Sequence, residues 1–97
     1  MARKYLRITE VIKICDVDEE FILRLERESM IRTVIRRRQK LYPLDQVDRV
    51  RVARLLIEEM GVNLEGAEVA IHMREQMIAT QRQFGRLLRL LVDEFKR

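Results

Sequence analysis

Few side chains in these 97 residues could act as reagents. Cys15 is the one cysteine and His72 the one histidine. A reactive thiol needs a neighbouring base or cation. Cys15 instead lies among Val11, Ile12 and Ile14, and this predicts a small core residue. His72 is followed by Met73 and Arg74, which do not make a ligand set, and no second cysteine exists to complete one or to form a disulfide. Glu58 and Glu59 are neighbours on a predicted helix, so they diverge and cannot flank a substrate as acid and base. No glycine-rich phosphate loop is present. Met60, Met73 and Met77 lie at helical spacing, which suits core or interface filling. The expectation is a non-enzymatic protein with no cofactor and no metal.

Binding chemistry is better represented. From Asp16 to Glu28 there are six acids and two bases; from Arg32 to Arg54 there are eight bases and two acids. A net charge of +4 is therefore divided into an acidic segment and a basic one, and each can face a different partner. Asp18, Glu19 and Glu20 form the acidic focus. Their simplest role is to cap a helix and complement its dipole; a second is to meet a basic protein surface. Arg36, Arg37, Arg38 and Lys40 form the basic focus, able to hold phosphates or simply to charge an edge strand against aggregation. Arg49, Arg51 and Arg54 are weaker candidates, and Glu58, one turn beyond Arg54, can pair with it.

The elements that position these groups follow from pattern. With 47% apolar and 37% charged residues, but only three glycines and one proline, the chain favours long regular elements around one core. No run reaches the about 18 apolar residues that a membrane span needs, no secretory signal opens the chain, and the lone cysteine suits a reducing, cytoplasmic setting. Tyr5 to Ile8 reads as an extended entry. Thr9 is expected to cap a first helix through Cys15, and Asp18 a second that ends near Glu28 and Ser29 with Phe21, Ile22 and Leu25 inward. Met30 to Tyr42, with β-prone Ile31, Thr33, Val34 and Ile35, then the basic run, then Leu41-Tyr42, predicts a hairpin with a charged tip. Pro43 opens a third helix whose buried stripe is Val47, Val50, Ala53, Leu56, Ile57 and Met60. Gly61 stops it and Asn63 caps a last helix from Leu64. Within that helix Ala70, Met73, Met77, Thr80, Phe84, Leu87 and Leu91 are spaced alternately 3 and 4, a heptad seam. Such a seam either lies on its own domain or pairs with a partner helix.

Two short helices, a tight break, a basic hairpin and a helix form the order of a winged helix-turn-helix. Tyr5-Leu-Arg-Ile-Thr-Glu-Val resembles the opening of the MerR family. Gln39-Lys-Leu-Tyr-Pro-Leu-Asp-Gln-Val-Asp-Arg-Val resembles its junction from wing into third helix, and Gly61-Val-Asn-Leu-Glu-Gly-Ala-Glu-Val-Ala-Ile the following junction in heat-shock repressors of that type. In MerR regulators the second helix carries a Thr-Leu-Arg-aromatic-aromatic-Glu run that meets DNA. Phe21-Ile22-Leu23-Arg24-Leu25-Glu26 stands in its place, behind two carboxylates that would face phosphates. The wing is short and lacks the usual glycine. Those departures are similar to the small chaperone-modulator proteins, whose second helix starts with an acidic run. That resemblance implies binding to the J-domain of a DnaJ-type co-chaperone.

These observations predict a mostly α MerR-like winged helix-turn-helix, residues 1–69, with a small two-stranded wing and a continuous amphipathic C-terminal helix, residues 70–97. Asp18, Glu19, Glu20 and Arg24 are the expected contacts to a J-domain partner. Arg36, Arg37, Arg38 and Lys40 are the expected contacts if the partner is double-stranded DNA. Met73, Met77, Phe84, Leu87 and Leu91 are the expected seam of a homodimer.

Overall fold

The structure, a computed structural model, describes residues 4–96. Extended residues at the entry form a strand, β1 (Tyr5–Leu6), and lead into helix α1 (Ile8–Cys15). Thr9, the expected cap of this helix, lies inside the first turn. The N-cap is Arg7, whose backbone N–H donates to Glu10 Oε1 at 3.0 Å. A carboxylate reaching back from the first turn satisfies the orphan amide, so no hydroxyl is needed at the cap. Asp16 closes α1 in the left-handed region at φ 55°. Two residues later Asp18 caps α2 (Glu19–Arg27), and its Oδ1 accepts from the Phe21 N–H at 2.8 Å.

Met30 and Ile31 do not begin the hairpin. They are 2% and 4% exposed and plug the core as irregular chain, so the strand starts later. Strand β2 (Val34–Arg36) pairs antiparallel with β3 (Gln39–Pro43), and Arg36 opposite Gln39 leaves Arg37 and Arg38 as a two-residue loop. β1 adds to the far side of β3 through Tyr5–Pro43 and Leu6–Tyr42 pairs. The wing hairpin is thus extended to a three-stranded sheet of order β1-β3-β2.

Pro43 is both the last residue of β3 and the N-cap of α3 (Leu44–Arg54). α3 continues as a π-helical turn, Leu55–Glu59. That wider turn shifts the helical register, and Met60, expected on the buried stripe, is 65% exposed. Gly61 at φ +71° and the Val62 N–H on Leu56 O at 2.8 Å complete the stop. Asn63 caps α4 (Leu64–Phe95), with Oδ1 2.7 Å from the Gly66 N–H. α4 runs unbroken for 32 residues, about 48 Å at 1.5 Å per residue.

One core joins these elements. Val11, Ile22, Leu25, Tyr42, Val50, Ala53 and Ala67 are all wholly buried, so every helix and β3 contribute to it. Cys15 is buried with them; its thiol lies 3.7 Å from Val47 O, and burial pushes its pKa up. On α4 only Ala67 and Ile71 are buried.

Candidate partner-binding surface

Three surfaces carry the residues singled out above. The first is the start of α2. Asp18, Glu19 and Glu20 are all exposed; Asp18 is engaged as the cap, and the other two lie in the first turn, where carboxylates meet the positive end of the helix dipole. Glu20 Oε1 reaches Arg27 Nη2 at 3.0 Å, but both side chains are more than half exposed, so the pair is weak and easily exchanged for another partner. Arg24 is exposed on the same helix. Phe21, Ile22 and Leu25 are buried, and Leu23 is half-buried. On α1, four residues before Asp18, Ile14 is 63% exposed.

The turn that presents these acids is held from behind. Arg54 Nε donates to Asp16 O at 3.0 Å, and Nη2 lies 3.5 Å from Asp16 Oδ2. The same guanidinium meets Glu59 at 2.9 Å and Glu58 at 3.5 Å. The local Arg54–Glu58 pair is visible from spacing; the longer reach to Asp16, which fixes the α1–α2 break, is not.

The second surface is the wing, where the four basic residues divide. Arg36 is not at the tip. Its guanidinium stacks on the Tyr5 ring 4.5 Å from the centroid, and Nη2 donates to Tyr5 Oη at 2.9 Å. Lys40 pairs with Glu26 of α2 and lies 5.9 Å from the Tyr42 ring centroid. Arg37 and Arg38 form the loop at φ 53° and 62° and are exposed. A two-residue hairpin loop with both central φ positive is the turn that suits strand twist, and it normally takes Asn-Gly. Arginines there are conformationally costly, and they place two charges at the furthest point of the hairpin.

The third surface is α4. Met73, Met77, Phe84, Leu87 and Leu91 are between 48% and 61% exposed, so their seam does not lie on its own domain. The domain is met by the opposite side of the helix. Arg49 of α3 makes a bidentate ion pair with Glu75 and also donates to Met30 O; Arg74 pairs with Asp48 at 2.9 Å, and Asp48 with Arg51 at 2.9 Å. Arg49, Arg51 and Arg54 are therefore engaged within the fold. The paired arginine beside Glu75 holds its carboxyl below the ordinary range. Partial burial would raise Asp48, but hydrogen bonds from Arg51 and Arg74 outweigh it and the net shift is downward.

A family model described as MerR HTH family regulatory protein matches residues 6–89. The chain belongs to that family. No curated protein and no solved structure matches it. The match spans α1, α2, the wing, α3 and most of α4, so both the helix-turn-helix and the long helix are parts of this MerR regulator. Among its described residues, no three His, Cys, Asp or Glu side chains come together as a candidate metal site, and no helix is long and apolar enough to cross a membrane.

Proposed function

We propose that this MerR-family chain is a non-enzymatic chaperone modulator of the cytoplasm that docks on the J-domain of a DnaJ-type co-chaperone. The observation that carries this reading is the start of α2: Glu19 and Glu20 are both exposed where a DNA-reading helix would enter the groove. Carboxylates there repel phosphates, whereas a basic protein surface complements them. Ile14 of α1 is an exposed apolar residue shortly before the acids in the chain, and Arg24 is exposed on α2 itself. In this division of labour residues 1–69 bind the partner. The seam of Met73, Met77, Phe84, Leu87 and Leu91 in the C-terminal helix pairs two copies.

A second reading, a DNA-binding regulator of heat-shock-repressor type, is favoured by one observation. Arg37 and Arg38 are exposed at the wing tip, where they could grip phosphates.

Titration against a purified J-domain and against nonspecific duplex at two salt concentrations separates the two. Chaperone modulation predicts a J-domain complex that weakens when Glu19 and Glu20 are both changed to Lys, with little duplex binding by the wild type. DNA binding predicts the reverse: duplex affinity that falls steeply with salt and is lost when Arg37 and Arg38 become Ala. A wild-type protein with no affinity for the J-domain at low salt ends the first reading.

A further inference from the structure

The last turn of α2 and the middle of β3 meet at one carboxylate. Glu26 Oε2 accepts from the phenol of Tyr42 at 3.3 Å, and its Oε1 carries the ion pair with Lys40. The Glu26 side chain is 22% exposed and that of Lys40 42%, so the pair is shielded on the Glu26 side and open on the other. The Lys40 ammonium also faces the Tyr42 ring. Tyr42 is wholly buried, which fixes the position of the phenol and so of the carboxylate that accepts from it. Lys40 is thereby directed at α2 by a partner that is itself anchored in the core.

We propose that Glu26 is a specificity-determining residue: by holding Lys40 against α2 it withdraws a wing cation from the surface that duplex phosphates would meet. This biases the protein toward a protein partner. Arg36 stays exposed but is stacked on Tyr5 and hydrogen-bonded to its hydroxyl. Two of the wing's four basic residues thus have partners within the chain, and Arg37 and Arg38 remain. The inference rests on the reading above only in its direction, protein over duplex; the withdrawal of Lys40 is a property of the chain alone.

Glu26→Gln is the informative change, because the amide oxygen still accepts from Tyr42 while the charge that holds Lys40 is gone. Four proteins are compared: wild type, Lys40→Ala, Glu26→Gln and the double variant. Each is titrated against a nonspecific 20-base-pair duplex over a series of salt concentrations. Each phosphate neutralised adds about 0.9 to the slope of log affinity against log salt. In the wild-type background Lys40→Ala leaves the slope unchanged. Glu26→Gln tightens duplex binding and steepens the slope by about 0.9, and Lys40→Ala in that background removes the gain. Equal effects of Lys40→Ala in both backgrounds, or no gain on Glu26→Gln, overturn the proposal.

A second measurement guards against a folding defect in Glu26→Gln. Lysine acylation by acetic anhydride, mapped by mass spectrometry on the wild type, is expected to be slower at Lys40 than at exposed Lys13. Equal rates in the folded wild type overturn the proposal independently of the variant. A failed J-domain titration leaves these slopes and rates untouched, so the two readings fail separately.

Discussion

The guanidinium of Arg49 clasps the carboxylate of Glu75 with two parallel hydrogen bonds, Nε to Oε2 at 2.7 Å and Nη2 to Oε1 at 2.8 Å. The residues are 26 positions apart and join α3 to α4. Arg49 also donates to Met30 O, in the chain that follows α2. One side chain therefore ties together the chain that follows α2, α3 and the long helix. With so little of α4 buried, this clasp and the neighbouring Arg74–Asp48 pair set how the helix leaves the domain.

Arg49→Ala removes the bidentate pair and leaves Met30 O without its donor. The expected loss is about 2 kcal/mol, since both partners are charged and partly shielded. At this chain length that lowers Tm by roughly 8–15 °C. The pH dependence has a definite sign. Glu75 and Asp48 have folded pKa values below their ordinary 4.5 and 3.8, so their contribution is complete above about pH 4.5 and is lost as pH falls through the lowered values. Urea midpoints measured from pH 7 to pH 3 should be level down to about 4.5 and then drop, with a smaller drop in Arg49→Ala. A variant whose acid limb matches that of the wild type shows that the clasp contributes nothing.

The wing tip permits stability and charge to be pulled in opposite directions. Arg37 and Arg38 both hold positive φ, which costs an L-residue with a side chain roughly 1–2 kcal/mol each and costs an Asn-Gly pair much less. The double substitution Arg37→Asn with Arg38→Gly is expected to stabilise the protein by about 1 kcal/mol or more and to abolish whatever duplex affinity the wild type has. Thermal unfolding and a low-salt duplex titration check both halves. A destabilised variant shows that the two tip residues are not held at a cost in the wild type.

Local signals made much of the scaffold legible. Asp18, Gly61 and Asn63 each mark a helix boundary through a short-range rule, and each stands where that rule puts it. What escaped was either too short or too distant. Tyr5 and Leu6 read as extended, but their pairing with β3, far along the chain, has no local signal. The tip carries Arg-Arg where the turn type normally shows Asn-Gly, so its geometry had no sequence marker. The π-helical turn has no signature in the spacing of Leu55 to Glu59, and it turns Met60 outward. The basic run looked like one cluster because linear proximity hides direction. Arg36 faces Tyr5, a partner 31 residues away, and Lys40 faces Glu26 on a different element. Long-range ion pairs such as Arg49–Glu75 follow no local spacing rule, and they reassign arginines that the sequence left free to bind.

Tyr42 offers an alkaline test of the α2–β3 contact. Burial, followed by the charge and hydrogen bond of Glu26, pushes its phenol up to about 12. A folded value raised above the unfolded one means stability that is complete below about pH 10 and falls away as pH rises toward 12. Tyr42→Phe costs about 1 kcal/mol at neutral pH through the lost hydrogen bond, and it removes this component of the alkaline decline. Urea unfolding at pH 9 and pH 11 is the measurement. An equal decline in both proteins shows that ionisation of Tyr42 is not linked to folding.

The seam of α4 gives the last expectation. Phe84, Leu87 and Leu91 follow one another at heptad spacing and are 60%, 52% and 48% exposed. Arg82, Arg86 and Arg89 lie on the side that continues the domain-facing surface of Ile71, Arg74 and Glu75, so the apolar residues are not shared with the domain. A single helix exposing such a stripe gains little from burial and is marginal in water. A second copy offering the same stripe removes it from solvent, at roughly 1.5–3 kcal/mol for each large side chain fully covered. Wild type is therefore expected to sediment as a dimer at micromolar concentration. Leu87→Arg with Leu91→Arg should sediment as a monomer, while the near-domain half of α4 keeps its ion pairs and the domain keeps its Tm to within a few degrees. A wild type that stays monomeric at high concentration with α4 fully helical would remove the pairing role from this face and return it to a different partner.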